Sequence, residues 1–179
     1  MLVPIMVLGA VFVLGYTDLL ARSGVGEIAA GLGLGGLPVI GTALVQDGTI
    51  GPAAVAAAVP ATLMTFNLLL LNEFPDEQAD RAGGRRNVVI MLGRPGAAAV
   101  YSAAALMTPS AIVAAVIVDV LPVLSLAAVL PSLLLVKPLK WAYVQPNGPV
   151  PIPALGANVV WILTTNLMLA VSVGVSVVL

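Results

Sequence analysis

The chain has 179 residues, 60% hydrophobic and only 8% charged, with a mean hydropathy of +1.13. A soluble domain carries roughly 25% charged residues, so a water-soluble core is excluded and an integral membrane protein is the expected class. Seven Lys and Arg stand against eight Asp and Glu, with no His and no Cys; that excludes disulfides, thiolate sites and the usual zinc centres, gives no footprint for nucleic acid, and leaves oxygen-bound hard cations as the metals to consider.

Six apolar segments are predicted. The first, residues 1–15, reaches only about 22 Å at about 1.5 Å per residue, short of a hydrocarbon core of roughly 30 Å. It has no basic start and no cleavage site, so it is not a signal peptide; it reads as the tail of a longer helix. The second, 24–45, contains Gly31-Leu32-Gly33-Leu34-Gly35-Gly36, which formally fits G-x-G-x-x-G. No strand precedes it, so a dinucleotide loop is rejected. Gly31 and Gly35 form a GxxxG pair, and close helix packing is expected there instead. The third segment is 49–71, the fourth 95–118, the fifth 121–136 and the sixth 151–179. Pro38, Pro60 and Pro131 lie inside them as expected kinks. The apolar runs are continuous and lack the period-2 alternation of a barrel strand. The expected fold is therefore all-α: a polytopic membrane helix bundle of about six transmembrane helices, in one transmembrane domain over residues 1–179.

The charges agree with that count. If the segments alternate sides, Arg22, the four arginines between 81 and 94, and Lys137 and Lys140 all fall on one side, with Asp47 and Asp119 on the other. The positive-inside rule makes the basic side cytoplasmic, with both termini outside.

Residues 72–86 read NEFPDEQADRAGGRR. From Glu73 to Arg94 the chain gathers four of its eight acids and four of its seven bases. Glu73, Asp76, Glu77 and Asp80 fall at i, i+3, i+4 and i+7, one helix face, where like charges repel. Pro75 is expected to break or restart the helix, and Gly83-Gly84 to stop it. A hard divalent cation would relieve the repulsion. Mg2+ is usually held by one or two carboxylates with waters and phosphate oxygens, and Asp76 and Asp80, spaced DxxxD, could serve it. Arg81, Arg85 and Arg86 lie within reach of the same anion, and arginine suits bidentate phosphate contact. Acid for metal beside base for phosphate reads as a metal–diphosphate site in a cytoplasmic loop, 72–94. The bland alternative is a solvated loop whose charges pair with each other.

Asn72-Glu73-Phe74-Pro75-Asp76, then Asp80, then Gly84-Arg85-Arg86-Asn87-Val88-Val89 and Leu92-Gly93-Arg94 resemble the second aspartate-rich motif of the UbiA superfamily of intramembrane prenyltransferases. The Asn-Glu-Phe-Pro-Asp opening is most similar to 1,4-dihydroxy-2-naphthoate polyprenyltransferases, the menaquinone-pathway members. Gly15-Tyr16-Thr17, Gly24-Val25-Gly26-Glu27 and Gly41-Thr42 fit the same pattern, so the resemblance spreads over most of the chain. It implies an all-helical fold of nine membrane helices around a central cavity. Two aspartate-rich motifs then hold Mg2+ and a polyprenyl diphosphate at the cytoplasmic mouth, and an allylic cation is attacked by an aromatic acceptor. By position, Asp76 and Asp80 match the metal ligands, Asn72 the motif's polar start, and Arg85 or Arg86 a phosphate contact. Tyr16 falls where the loop after the fourth helix approaches substrate, and Glu27 on the acceptor side.

One departure is plain. The first aspartate-rich motif is missing: Asp18, Glu27, Asp47 and Asp119 are isolated acids. The six segments correspond to the fourth through ninth helices of that fold, so the chain resembles the C-terminal two-thirds of such an enzyme. The resemblance thus implies Mg2+-dependent prenyl transfer, with a separate chain as one source of the missing motif. The alternative is a catalytically incomplete or non-enzymatic helix-bundle relative in the lipid bilayer.

Overall fold

A computed structural model describes residues 2–178; Met1 and Leu179, the outermost residues of the first and last predicted segments, lie outside it. Six helices are long and apolar enough to cross a membrane: α1 (Leu2–Ser23), α2 (Gly26–Asp47), α3 (Pro52–Ala82), α4 (Val88–Ile117), α5 (Val123–Val144) and α6 (Ile152–Val178). No strand occurs among the described residues. The all-α, six-helix expectation holds, because lipid offers no partner to backbone N–H and C=O groups and a helix satisfies them internally.

Several predicted boundaries move. The chain does not leave the helix at Gly15. Residues Tyr16–Leu20 are wound as a π turn and α1 continues to Ser23. With 22 residues it is about 33 Å long, enough to span. Asp18 does not end it, because its side chain lies on the exposed face. The break expected at Pro75 does not form either, and α3 runs unbroken from Pro52 to Ala82. A proline removes one hydrogen bond, and here tertiary contacts outweigh it. Phe74 is buried edge-on against Trp141, ring centroids 4.9 Å apart, and its carbonyl accepts from Arg94. The stretch 72–94 is thus mostly helical: the last turns of α3, a connection over 83–87, and the first turns of α4. Gly83 and Gly84 do stop α3, and Gly84 takes the left-handed φ of +75° that favours glycine. Helix α4 begins at Val88, seven residues before the predicted Pro95, because Asn87 caps it: its side chain accepts from the N–H of Ile90. A kink at Gly93 (φ 69°, ψ 167°) then separates this first turn from the predicted apolar run.

The main core joins α3, α4 and α6 through Met64, Leu70, Phe74, Ala97, Tyr101 and Trp161. A polar seam crosses it. Asn67 Nδ2 donates to the Tyr101 carbonyl (3.1 Å), and Tyr101 donates its hydroxyl to Asn158 Oδ1 (2.8 Å). Helix α2 lies against α3 through its glycines, as the GxxxG pair predicts. A Cβ on Gly35 would meet the Ala61 carbonyl oxygen at 2.5 Å, and one on Gly31 the Thr62 carbonyl oxygen at 2.8 Å. Side chains at these positions would push the helices apart.

At one end of the bundle three connections are stitched together. The Arg86 N–H donates to the Ala21 carbonyl (2.8 Å), the Val88 N–H to Glu27 Oε1, and Arg94 Nη1 to the Gly148 carbonyl (3.0 Å). These bonds join the α1–α2, α3–α4 and α5–α6 connections, and all seven Lys and Arg belong to this end by position.

Candidate functional site

Helix α3 carries the acids to this end, and its geometry divides them. Asn72 and Asp76, one turn apart, are exposed, and Asn72 faces α1 and α2. Glu73 and Asp80, two turns apart, turn inward and are buried. Glu77 is half-buried. The four acids thus share one flank of α3 but differ in burial.

Arginines, not a cation alone, relieve the charge. Glu77 accepts from Arg94 Nε at 2.8 Å and pairs with Arg81 at 3.3 Å. Asp80 Oδ1 pairs with Arg85 at 3.1 Å, and its Oδ2 accepts from Asn87 Nδ2 at 2.9 Å. Asn87 thus holds Asp80 with its amide N–H and caps α4 with its amide oxygen. Arg94 is the hub: besides Glu77 it donates to the carbonyls of Phe74 and Gly148, both at 3.0 Å. Charge pairing within the stretch, the bland sequence reading, is real for Glu77 and Asp80. It leaves out Asp76, which no ion pair reaches among the described residues, and Arg86, whose side chain is exposed.

From Asn72 inward an apolar cavity of about 520 Å³ opens between α1, α2 and α3. Tyr16, Thr17 and Asn72 line its polar rim; Phe12, Val13 and Leu68 are among its walls. Two of its walls come from π-wound segments, Tyr16–Leu20 and Gly31–Gly36, a winding often found at functional sites. Glu27 does not reach this cavity. It is 1% exposed and accepts from Val88, with its carboxyl facing a small internal cavity. Glu73, Tyr16, Arg85 and Asn87 also line that cavity, and Glu73 Oε2 is buried there without a partner. Tyr16 lines both cavities and so forms the wall between them.

Of the residues singled out in the sequence, Asn72 and Tyr16 meet at the cavity between α1, α2 and α3, with Asp76 one turn beyond Asn72. Asp80, Arg81 and Arg85 are tied into pairs, Arg86 is free, and Glu27 sits behind the site. Sequence reasoning passed over Asn87, Arg94, Glu73 and Thr17 as site residues. Asn87 could have been found as an Asn immediately before an apolar run, an N-cap signal. Nothing local marks Arg94, whose partners lie 17, 20 and 54 residues away.

Among the described residues no three Asp or Glu side chains converge closely enough to hold a metal ion by themselves. The arrangement still fits Mg2+ delivered with a diphosphate, which needs only one or two protein carboxylates and takes its other oxygens from phosphate and water. Asp76 is exposed one helical turn beyond Asn72, which lines the hydrophobic hollow.

No curated protein and no solved structure matches the chain significantly. Residues 1–151 match the family model described as the UbiA prenyltransferase family. That match covers most of the 179 residues, in a membrane helix bundle with an acid- and arginine-rich rim over an apolar cavity: the chain belongs to the UbiA prenyltransferase family.

Proposed function

We propose that this site transfers a polyprenyl group from a polyprenyl diphosphate to an aromatic acceptor, 1,4-dihydroxy-2-naphthoate, in menaquinone biosynthesis, and that it does so with Mg2+. The observation that carries the reading is Asp76, exposed and reached by no ion pair among the described residues, one helical turn beyond Asn72, which lines the apolar cavity of about 520 Å³. Asp76 and Asp80 are the proposed metal ligands. Bound Mg2+ would stabilise charge on the departing diphosphate. Arg86, free at the surface, and Arg85 and Arg81, held one step away by Asp80 and Glu77, are the phosphate-binding groups. The apolar walls exclude water from a developing allylic cation. Tyr16 and Thr17 line the cavity from α1, across from Asn72 on α3, where the acceptor approaches. Glu27 supports this rim from behind by fixing the start of α4. The site end faces the cytoplasm, because every Lys and Arg belongs to it.

A second reading is favoured by the pairing of Glu77 and Asp80 with arginines. In it the chain keeps the fold and binds the diphosphate, but turns over only with an acidic segment on another polypeptide. Both readings are tested with the whole chain in lipid nanodiscs. Farnesyl diphosphate should bind in a Mg2+-dependent manner, and Asp76→Asn should weaken it at least about tenfold. Prenylation of naphthoate by the chain alone supports the first reading; binding without turnover supports the second; no Mg2+-dependent binding refutes both.

A further inference from the structure

One face of α3 lines two cavities in series. Ala54, Ala57, Ala61, Thr65, Leu68 and Asn72 recur at three- and four-residue spacing, and one more turn brings Asp76. The first cavity is the one at the rim. The second, about 630 Å³, lies between α2, α3 and α6 and ends at the polar side chains of Gln46 and Asp47. Among the described residues only Leu34 and Thr65 line both. Leu34 belongs to the π-wound segment Gly31–Gly36 and is 71% exposed, so its side chain is not packed away. Its backbone is held, because Gly31 and Gly35 on either side press directly on the α3 carbonyls of Thr62 and Ala61.

The distances along α3 set a length scale. Seven residues separate Asn72 from Thr65 and eleven separate Thr65 from Ala54, about 10 Å and about 16 Å at the helical rise. An extended chain advances about 1.2 Å per backbone bond, so an isoprenyl unit of four such bonds covers about 5 Å. Two units fit between Asn72 and Leu34. About three more fit beyond it before Gln46 and Asp47, where an alkyl chain would strip water from polar groups without replacing their hydrogen bonds.

We propose that Leu34, standing over Thr65, is the chain-length gate of the prenyl site: the first two isoprenyl units occupy the rim cavity, and each further unit passes Leu34 into the cavity bounded by α6. This rests on the reading that the diphosphate sits at Asn72 and Asp76. With this gate, short prenyl groups bind without engaging the second cavity, and affinity rises only once a third unit crosses Leu34. Beyond about five units the polar end at Gln46 and Asp47 stops further gain.

The test is calorimetric titration of the whole chain in detergent micelles with Mg2+ and either geranyl diphosphate (two units) or geranylgeranyl diphosphate (four units). Wild type should bind the longer diphosphate at least about tenfold more tightly. Leu34→Trp should abolish that advantage and leave geranyl diphosphate within about twofold of wild type. Leu34→Ala should preserve the advantage. Matching thermal unfolding of the variants, expected for so exposed a position, shows that each is folded. The gate is refuted if Leu34→Trp weakens both diphosphates equally or neither. It is also refuted if geranylgeraniol, lacking the diphosphate, binds as tightly as geranylgeranyl diphosphate, which would make the groove a generic lipid trough. If wild type binds neither diphosphate, the prenyl-diphosphate reading itself fails and the gate with it.

Discussion

Replacing Arg94 by Ala removes one guanidinium that joins three pieces of chain. It bonds Glu77 on α3, the Phe74 carbonyl one turn earlier, and the Gly148 carbonyl in the α5–α6 connection, all between 2.8 and 3.0 Å. The two carbonyl bonds contribute about 1 kcal/mol each in net terms. The ion pair is 23% exposed on both sides, so its share is about 0.5–1 kcal/mol. Arg94→Ala is therefore expected to cost about 2–3 kcal/mol of stability. Unfolding in mixed micelles, followed by tryptophan fluorescence, measures it. Trp141 is a local reporter because it packs on Phe74 and donates its indole N–H to the Pro149 carbonyl at 3.0 Å, beside Gly148. Its emission should shift to the red in the variant even before global unfolding. Arg94→Lys keeps the charge opposite Glu77 but cannot fork to both carbonyls, so it should recover only the ion-pair share. A loss below about 0.5 kcal/mol for Ala, the range of ordinary surface changes, would refute the hub, and full recovery by Lys would show that the carbonyl bonds contribute nothing.

Asn87→Ala removes the α4 cap and the amide that holds Asp80, and should cost about 1–2 kcal/mol in the same unfolding assay; Asn87→Asp, which keeps the cap but faces Asp80 with like charge, should recover only part of it. Gly35→Ala places a methyl 2.5 Å from the Ala61 carbonyl oxygen. It should cost about 1–3 kcal/mol, while Gly9→Ala, with nothing within 4 Å, should leave the unfolding midpoint where it is. The sequence has no Cys, so single cysteines report sidedness directly: in intact cells, a membrane-impermeant maleimide should label Asp47→Cys and not Lys140→Cys, and the reverse pattern would invert the proposed orientation.

Much of the scaffold is legible residue by residue. Long apolar runs without alternation require helices in lipid, and the placement of Arg22, the 81–94 arginines, Lys137 and Lys140 fixes their parity. Gly31 and Gly35 announce a close crossing, and Gly83-Gly84 a helix stop. Where the local reading fell short, a distant partner or an altered helical winding had intervened. Pro75 does not break α3 because Phe74 is clamped by Trp141 and Arg94. Gly15 does not end α1 because a π turn carries the chain past Asp18. The face shared by Glu73, Asp76, Glu77 and Asp80 was visible, but which of them is neutralised depends on where the chain returns after Gly84.

Composition and periodicity by themselves determined a membrane helix bundle with one acid- and arginine-rich end, because helix formation in lipid depends on local apolarity and on backbone groups a few residues apart. Only the tertiary structure decided which charges are spoken for: Asp80 by Arg85 and Asn87, Glu77 by Arg94 and Arg81, with Asp76, among the described residues, left without an ion pair. It also decided that Leu34 stands between two hollows rather than in a core. Ion pairs and cavities arise from segments brought together across tens of residues, and neither spacing nor hydropathy along the chain encodes which side chains then meet.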